Sequence, residues 1–286
     1  MDRLEAVGVN APQIEYWNGP VGERWAGLAD AQDIILAALG STAMDSCDIQ
    51  VGHAVLDVGC GSGTTTIEIT RRVGARGRVL GIDISTPMLD IGRARLEALN
   101  TDSVTLVNSD VATYRFEAQT FDRVFSRFGV MFFVEPIVAF TNIRSSMKSG
   151  GRLAFVCWQS AAKNTYMGMP LEIALRHVPT PPPADADAPG PLAFANPDRV
   201  RHILSRAGFV DINLEPLETL VPLGADVPET VGKLIEMGPV SRLLNNASED
   251  IKARVEIDLG EALAEFQTVN GVMINSATWI VSATSP

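Results

Sequence analysis

The strongest indication of the fold comes from VLDVGCGSGT, residues 55–64. A short apolar run that contains one aspartate leads into three glycines at alternate positions, Gly59, Gly61 and Gly63. Glycine allows a sharp turn between a strand and a helix, and it lets a ligand approach the backbone where a side chain would block it. A helix that begins after such a loop offers unpaired N–H groups to a phosphate or a carboxylate. The stretch therefore predicts a buried strand, a ligand-binding loop and a helix, in that order.

The same kind of alternation continues around this stretch as far as residue 158. Short apolar runs lie at 54–58, 78–83, 104–107, 121–126 and 152–156. Their apolar residues are consecutive rather than alternating, so both faces of each run are predicted to be buried. Two segments between the runs are predicted helices: Thr86–Leu99, and Pro136–Lys148 with Gly150 and Gly151 to end it. This order predicts an α/β fold with a parallel sheet and helices on both of its faces.

The pattern changes outside this region. Residues 1–50 contain one helical face, formed by Ile34, Ile35, Ala38 and Leu39. The segment PTPPPADADAPGP, residues 179–191, has no apolar period and is predicted to be a loop. The elements predicted after this loop are a helix after Asn196, a strand at Phe209–Leu223 with edge-type prolines Pro216 and Pro222, helices over 225–268, and a last short strand at Trp279–Ser282.

Composition narrows the class of protein. The chain has 286 residues, of which 46% are apolar and 20% are charged, as in globular proteins of one or two domains. It carries 23 basic and 34 acidic residues, which gives a net charge of −11 and a sequence pI of about 4.8. This charge would repel a nucleic-acid backbone, and the sequence contains no run rich in Lys and Arg. We therefore predict no nucleic-acid partner.

The sequence also lacks the patterns that are typical of metal sites and of membrane-spanning segments. The three cysteines, Cys47, Cys60 and Cys157, are too few and too scattered for a disulfide framework or a zinc site. No cluster of His, Asp and Glu has ligand spacing, so we predict no metal. The N-terminus lacks the features of a signal peptide, and the longest apolar runs are far shorter than the ~20 residues that span a bilayer. We expect a cytoplasmic protein without membrane insertion that acts on a small molecule.

A second acidic residue, Asp83, ends the predicted strand at 78–83. A carboxylate at such a position can accept hydrogen bonds from the hydroxyls of a ribose. The alternatives are a solvated strand-end residue and the cap of the next helix. A dinucleotide-binding loop has the pattern G-x-G-x-x-G, whereas Thr64 stands here in place of the third glycine. The predicted ligand therefore contains a ribose but no pyrophosphate.

Five motifs, taken in chain order, resemble those of class I S-adenosylmethionine (SAM)-dependent methyltransferases. They are VLDVGCGSGT at 55–64, VLGIDIS at 79–85 with Met88-Leu89, Ser109–Val111, FDRVFSRFG at 121–129, and KSGGRL at 148–153. The chain is similar to small-molecule methyltransferases related to the quinone-biosynthesis C-methyltransferases. The resemblance implies a doubly wound, mostly parallel, seven-stranded Rossmann-like sheet with a helical cap insertion. It also implies SAM as the cofactor and S-adenosylhomocysteine (SAH) as its product.

The resemblance assigns roles by position. Asp57 would orient the loop or reach the amino group of SAM, Asp83 would hold the ribose, and Asp110 would accept from the adenine amino group. Ser126 and Arg127 lie where a strand-end carbonyl meets the methionine ammonium. The other cofactor-binding residues that the resemblance implies are Gly59, Cys60, Gly61, Ile84, Met88 and Val111. Core packing is an equal alternative for Ile84 and for Met88, and a small packing role is the alternative for Cys60.

An aromatic segment precedes the core. Trp17 and Trp25 flank a Gly-Pro turn in a polar stretch, which indicates that they cover something. One interpretation is a flap packed on the surface of its own domain. The other, which similar methyltransferases favour, is a lid over the cofactor that excludes water and places an aromatic face near the sulfonium. Asn18 would then donate to the SAM carboxylate.

Methyl transfer from a sulfonium is an in-line displacement in which the protein aligns the nucleophile and, where needed, removes its proton. His177 is the preferred candidate for a base, because His53 and His202 fit structural or solvated positions better. Tyr166 and Glu172 lie in the same insertion as His177. Proximity alone is the alternative to a base.

Two regions outside the resemblance, residues 159–195 and 225–271, are predicted to hold the acceptor. Their apolar residues favour an apolar or aromatic small molecule, although they could instead bury one another or form a homodimer face. These residues are Tyr166, Met167, Met169, Leu171, Leu234, Ile235, Met237, Leu243, Leu244 and Phe266.

The predicted segments are an N-terminal helical lid (1–50), a SAM-binding core (51–158), a substrate-side insertion (159–197), the end of the core sheet (198–224 and 272–286) and a helical cap (225–271). The rival functions are a non-catalytic SAM-binding protein and an NAD-dependent oxidoreductase.

Overall fold

The predicted apolar runs form the strands of one sheet. The computed structural model describes residues 4–99, 101–181, 185, 187–236 and 238–286, and within these residues the sheet has eight strands. They are β1 (Ala54–Val58), β2 (Arg78–Asp83), β3 (Val104–Asn108), β4 (Phe121–Arg127), β5 (Met147–Trp158), β6 (Val210–Gly224), β7 (Gln267–Thr268) and β8 (Gly271–Thr284). All five residues of β1 are buried, as its unbroken apolar run predicted.

The strand order places a ligand-binding crevice beside β1. Seven strands follow the order β3-β2-β1-β4-β5-β8-β6, and the two-residue β7 pairs antiparallel with β8. The pairs β1–β2, β2–β3, β1–β4 and β4–β5 are parallel. This confirms the doubly wound, mostly parallel, Rossmann-like sheet. The chain leaves β1 toward β2 and β3 and returns on its other side as β4, so the carboxyl ends of β1 and β4 form the switch point at which such sheets bind ligands.

Helices cover the sheet and precede it. Eleven α-helices lie in the described part of the chain: α1 (Ala11–Asn18), α2 (Pro20–Gly27), α3 (Ala29–Ser46), α4 (Thr64–Val73), α5 (Thr86–Glu97), α6 (Pro136–Ser146), α7 (Thr165–Leu175), α8 (Pro197–Arg206), α9 (Val227–Glu236), α10 (Gly238–Leu244) and α11 (Glu249–Leu263). The cap predicted at Asn196 is present, because its side chain accepts from the Asp198 N–H at 2.9 Å. Among the described residues, no helix combines the length and the apolar character needed to cross a membrane.

Three details differ from the sequence-based predictions. Helix α6 ends at Ser146, and Gly150 and Gly151 lie inside β5, where the pairing of β4 with β5 shifts register. Gly150 has a φ of +71°, so this irregularity, and not a helix end, needs the glycine. Ile34 is 64% exposed, so the buried face of α3 contains Ile35 and Leu39 without it. The last strand begins at Gly271 and is much longer than the predicted Trp279–Ser282.

The chain divides into two compact units. The first consists of Met1–Trp158, Asp187–Pro216 and Trp279–Pro286, and the second of Gln159–Ala186 and Leu217–Thr278. The core of the first unit contains a cluster of aromatic rings, in which Phe140 contacts Phe155, Phe194 and Phe209. In the second unit, the buried Asn164 joins the start of α7 to β8: its amide nitrogen donates to the Ala277 carbonyl at 2.8 Å, and its oxygen accepts from the Ala277 N–H.

Candidate cofactor site

The glycine loop has a backbone that only glycine adopts readily. Gly59, Gly61 and Gly63 have φ values of +67°, +51° and +78°. A Cβ on Gly59 would lie 2.7 Å from the Cα of Gly129, and one on Gly63 would lie 3.1 Å from the Cα of Gly92. The loop is therefore packed backbone against backbone on both sides. The roles of Gly92 and Gly129 are not predictable from the local sequence, because neither residue belongs to the glycine motif at 59–63.

Asp83 holds this loop in place. Its Oδ2 accepts from the Gly61 N–H at 2.8 Å, and its Oδ1 accepts from the Ser85 N–H at 2.8 Å. Burial raises the pKa of Asp83, although these two backbone bonds act in the opposite direction. Each carboxylate oxygen can accept a further hydrogen bond, so Asp83 can bind hydroxyl groups while it keeps the loop.

Asp57 is fully buried beside the loop and is incompletely paired. Its Oδ2 accepts from the hydroxyls of Thr65 and Thr66 at 2.7 Å and 2.6 Å. Its Oδ1 has no hydrogen-bond partner among the described residues. Burial raises its pKa to about 6, against the lowering effect of the two threonines. The Oδ2 contacts tie the end of β1 to the first turn of α4, and the unpaired Oδ1 is suited to a cationic group.

The residues predicted around adenine line the ends of β2 and β3. Met88 lies against the loop, since its terminal methyl is 3.2 Å from the position of a Cβ on Gly61. Ile84 and Met88 are half-buried. Asp110 is buried, and its Oδ1 accepts from the Ala112 N–H at 2.9 Å. Val111 is also buried, and its carbonyl accepts from Asn142 at 2.7 Å.

At the end of β4, two side chains have partners that the sequence analysis missed. The Ser126 hydroxyl accepts from the Gly129 N–H at 3.2 Å, which braces the backbone approach of Gly129 to Gly59. The Arg127 guanidinium forms an ion pair with Asp33 of α3. The two residues are 94 positions apart, and no local pattern marks Asp33 as a partner.

The two tryptophans belong to one aromatic cluster. The ring centroid of Trp17 lies 5.9 Å from that of Trp25 and 5.0 Å from that of Phe132, which follows β4. The Trp17 carbonyl accepts from the Ser85 hydroxyl at 2.9 Å. The N-terminal segment is thus attached where β2 and β4 end.

Asn18 differs from its predicted role. Its Nδ2 donates to the carbonyls of Ile14 and Ile84, both at 2.8 Å, and its Oδ1 accepts from the Thr86 N–H at 2.9 Å. Because both amide hydrogens are already used, the predicted donation to the SAM carboxylate does not fit this arrangement. Asn18 instead joins α1 to the start of α5.

The remaining site residues predicted from the sequence are Cys60 and the candidate bases. Burial, together with the nearby carboxylates of Asp83 and Asp57, raises the pKa of the Cys60 thiol well above its usual value, which disfavours the thiolate form. In the second unit, His177 Nε2 lies 2.8 Å from Asp258 Oδ2. Burial raises the pKa of Tyr166 to about 12, which disfavours it as a base at neutral pH. Glu172 is exposed and pairs with Arg176.

Comparisons with known proteins point to the same region. Residues 55–151 match the family described as "Methyltransferase domain". The chain is 33% identical over 118 residues to the demethylmenaquinone methyltransferase of Staphylococcus haemolyticus (strain JCSC1435), which covers 41% of this chain and 48% of that protein. It is 31% identical over 117 residues to the aklanonic acid methyltransferase DauC of Streptomyces sp. (strain C5), with 41% and 53% covered. The chain therefore spans about half the length of the curated relatives it matches.

A similar solved structure is the phosphoethanolamine N-methyltransferase 2 of Haemonchus contortus in complex with phosphomonomethylethanolamine and SAH. It superimposes with a TM-score of 0.58 at 18% identity, and the match covers 93% of this chain and 58% of that one. At this identity the likeness concerns the fold.

The strand order, the loop glycines and the two strand-end carboxylates define a Rossmann-like fold with a candidate ligand site at the ends of β1 and β2. Part of the chain is thus similar in sequence to demethylmenaquinone methyltransferases, and residues 55–151 match the model of the methyltransferase domain.

Proposed function

We propose that this protein transfers a methyl group from SAM to a small, apolar or aromatic acceptor. The single observation that carries the proposal is the arrangement of two carboxylates around one glycine loop, at the ends of the adjacent parallel strands β1 and β2. Asp83 is bonded to the loop and can accept from ribose hydroxyls, and Asp57 keeps one buried oxygen unpaired. A ligand that combines a ribose with a cationic amino acid satisfies both. SAM supplies the activated methyl group, and the protein supplies the binding and the alignment.

The chain's own residues divide the binding among them. Asp57 would accept from the ammonium, with the strand-end backbone at Ser126 and Arg127 beside it. Asp83 would hold the ribose, and Asp110 would accept from the adenine amino group. The loop of Gly59, Cys60 and Gly61 would contact the methionine part through its backbone, and Ile84, Met88 and Val111 would flank the adenine.

The aromatic cluster of Trp17, Trp25 and Phe132 supports a lid. It is tied to the end of β2 through the Ser85 hydroxyl and the Asn18 amide, so it lies beside the predicted ribose site. Aromatic faces attract cations and exclude water, and both properties suit a sulfonium that must not be hydrolysed.

The proposed class of acceptor rests on the apolar residues of the second unit. Of the apolar residues named above, Leu234 and Leu244 are buried, whereas seven are half-buried and can still contact a ligand; Met237 lies outside the described residues. The two relatives described above are named for demethylmenaquinone and for aklanonic acid. We extend this to an apolar or aromatic small-molecule acceptor. We place the protein in the cytoplasm, where three free buried cysteines stay reduced, and we assign it no nucleic-acid partner. A homodimer remains part of the proposal.

Calorimetry with SAH, SAM and NAD tests the cofactor. We expect SAH and SAM to bind and NAD not to bind. Asp83→Asn should weaken SAH and adenosine together by about tenfold or more, because it removes a charged acceptor from the ribose. Asp90→Asn is the matched control, because Asp90 is an exposed residue of α5 that pairs with Arg93. Binding of NAD, or unchanged affinity of Asp83→Asn for SAH, would overturn the proposal.

A methyl-release assay separates the enzyme from a non-catalytic SAM-binding protein. Phenols, quinones and apolar carboxylic acids are offered with SAM, and SAH formation is measured. We expect turnover with at least one of these acceptors and none with highly polar ones. A protein that binds SAM but releases no SAH with any acceptor would support the binding protein instead.

A further inference from the structure

A cluster of four charged side chains lies beside the glycine loop, and the roles assigned above do not use it. Asp33 of α3 is at its centre. Its Oδ1 accepts from Arg127 Nη2, and its Oδ2 accepts from Arg95 Nη1 at 2.8 Å. The same Oδ2 accepts from the Thr64 hydroxyl at 2.6 Å, at the first residue of α4. Asp30, the fourth charged member, is almost fully exposed and pairs with Arg95 Nη2.

The well-covered part of the cluster carries more positive than negative charge. Asp33 and Arg127 are 14% and 13% exposed, and Arg95 is 23% exposed. One well-covered carboxylate therefore faces two guanidiniums. The Arg127 charge and the hydrogen bonds hold the pKa of Asp33 below its usual value even though burial raises it. Asp33 is thus ionised at neutral pH, and Arg127 can accept a second anion without losing the first.

Arg127 is placed at the right edge of the sheet to meet a ligand. It is the last residue of β4, and β4 pairs with β1 through Phe125 and Asp57. Arg127 also lowers the pKa of Asp57 against the effect of burial, so the two charges act on each other. A cation and an anion consequently flank one glycine loop at the switch point of the sheet. This pair matches an α-amino acid zwitterion, with the ammonium toward Asp57 and the carboxylate toward Arg127.

The fold makes room for this arginine. A Cβ on Gly40, inside α3, would lie 2.7 Å from Arg127 Cδ, so α3 has a glycine where the arginine stem passes. Glycine inside a helix is less favourable than alanine, and the close approach of the arginine stem accounts for it here. A guanidinium carries several N–H donors in a rigid fork that suits carboxylates, and only Nη2 is needed for Asp33.

We propose that Arg127 binds the methionine carboxylate of SAM and that Asp33 is the positioning residue that aims its guanidinium at the loop. The proposal rests on the proposed function and adds to it a residue for the part of SAM that lies farthest from the adenine. Asp33 is itself fixed from the opposite side by Arg95 and Thr64.

The test compares SAM with decarboxylated SAM, which keeps the sulfonium and the ammonium but lacks the carboxylate. Calorimetry on the whole chain gives the ratio of the two affinities. We expect the wild type to prefer SAM by about tenfold to about a hundredfold, the range of charge-assisted hydrogen bonds. Arg127→Gln should lower SAM affinity by that factor and leave decarboxylated SAM almost unchanged, so the ratio falls close to one. Asp33→Asn should lower the ratio by a smaller factor, about threefold to tenfold.

Two further variants make the result decisive. Arg93→Gln changes the charge equally on α5 at a position that pairs only with Asp90 among the described contacts, and it should leave the ratio unchanged. If Arg127→Gln does not fold, Arg127→Lys keeps the charge, loses the fork and should still lower the ratio. Equal loss of both ligands in the Arg127 variants would make Arg127 a purely structural tie and overturn the inference. A wild type that binds SAM and decarboxylated SAM equally would also overturn the inference, but the proposed function would stand. A wild type that binds neither ligand would overturn the inference and the proposed function together.

Discussion

Asp57 is the residue at which stability and binding conflict most clearly. It is fully buried, two hydroxyls satisfy one of its oxygens, and the other oxygen has no partner among the described residues. A carboxylate in that state is expensive to ionise, and this cost is why its pKa rises to about 6. A fold optimised for stability alone would place an amide or an apolar residue here. An ionised carboxylate is favourable at this position when a cationic group pairs with its second oxygen.

We predict that Asp57→Asn stabilises the ligand-free protein and weakens SAM binding. The folded-state pKa of Asp57 is raised above that of the unfolded chain, so ionisation destabilises the fold, and the wild type loses stability as the pH rises from about 4 to about 6. The free energy of unfolding of the variant should therefore exceed that of the wild type by about 3 kcal/mol at pH 7.5, and the gain should fall to about 1 kcal/mol near pH 4.5 and toward zero below pH 4. Urea unfolding at several pH values measures this difference.

The binding half of this prediction has the opposite sign. Asp57→Asn should lower the affinity for SAM by about tenfold above pH 7, because a neutral amide replaces the charge that faces the ammonium. Affinity of the wild type should also fall as the pH drops through about 6. Asp122→Asn is a suitable control for the titration, since Asp122 is a carboxylate at the opposite end of β4 with its pKa lowered by Lys148 and by the Ala54 N–H. A variant that is both less stable and equally good at binding would contradict the argument.

At the scale of elements, the loop depends on pairs of glycines that come from different parts of the chain. Gly59 meets Gly129, and Gly63 meets Gly92. The second member of each pair has an ordinary φ, so it is glycine because of the close approach and not because of its own backbone. The loop after β1, the turn after β4 and helix α5 are therefore locked together without side chains.

We predict that Gly129→Ala destabilises the fold, because its Cβ would lie 2.9 Å from both the Gly59 Cα and the Val58 carbonyl oxygen. Overpacking of this kind costs about 1–3 kcal/mol. Gly232→Ala is the matched control: Gly232 lies inside α9 with no atom within 4 Å of the added Cβ, and the substitution should stabilise by about 0.5–1 kcal/mol. Chemical unfolding of the two variants should give changes of opposite sign, and equal changes would contradict the steric argument.

The N-terminal helices give a second prediction at this scale. Asn18→Asp replaces an amide that donates to two carbonyls by a carboxylate that would repel them. We expect faster hydrogen exchange in α1 and α2 and a loss of several-fold in SAH affinity. Asn245→Asp makes the same chemical change at an exposed position and should alter neither quantity. Faster exchange with full SAH affinity would support the flap packed on its own domain rather than the lid.

How far the sequence predicted these elements depends on how local each signal is. The strands and the loop of 55–64 were predicted because consecutive apolar residues and closely spaced glycines are local patterns. Gly150 and Gly151 were wrongly taken as a helix end, since glycine serves a strand irregularity equally well. Asp33 could not be predicted, because its role depends on Arg127 and on Arg95, which lie on other elements of the fold. Asn18 was predicted to face a ligand, but its amide is used by carbonyls that only the folded backbone brings near.

At the scale of the whole molecule, the two units differ in their relation to the methyltransferase domain model. The region that matches the methyltransferase family, residues 55–151, lies entirely in the first unit. The second unit lies outside that match, and it holds His177 paired with Asp258, as well as most of the apolar residues assigned to the acceptor. The family match therefore coincides with the proposed cofactor site, and the second unit carries the residues proposed for the acceptor.

We predict that His177→Gln separates methyl transfer from SAM binding. Glutamine can still donate to Asp258, so the tie between the end of α7 and α11 should persist, and the melting temperature should change little. If His177 removes the acceptor's proton, turnover of a phenol should fall by about a hundredfold or more, which is typical of the loss of a general base. An acceptor that is already ionised, such as a carboxylate, should react at nearly the wild-type rate, and the SAM affinity should be unchanged. Asp258→Asn should slow the phenol by a smaller factor than His177→Gln, because it removes the carboxylate that orients the ring and stabilises its protonated form but leaves the base in place. Full phenol turnover by His177→Gln would show that alignment alone drives the transfer, and that the second unit contributes binding rather than proton removal.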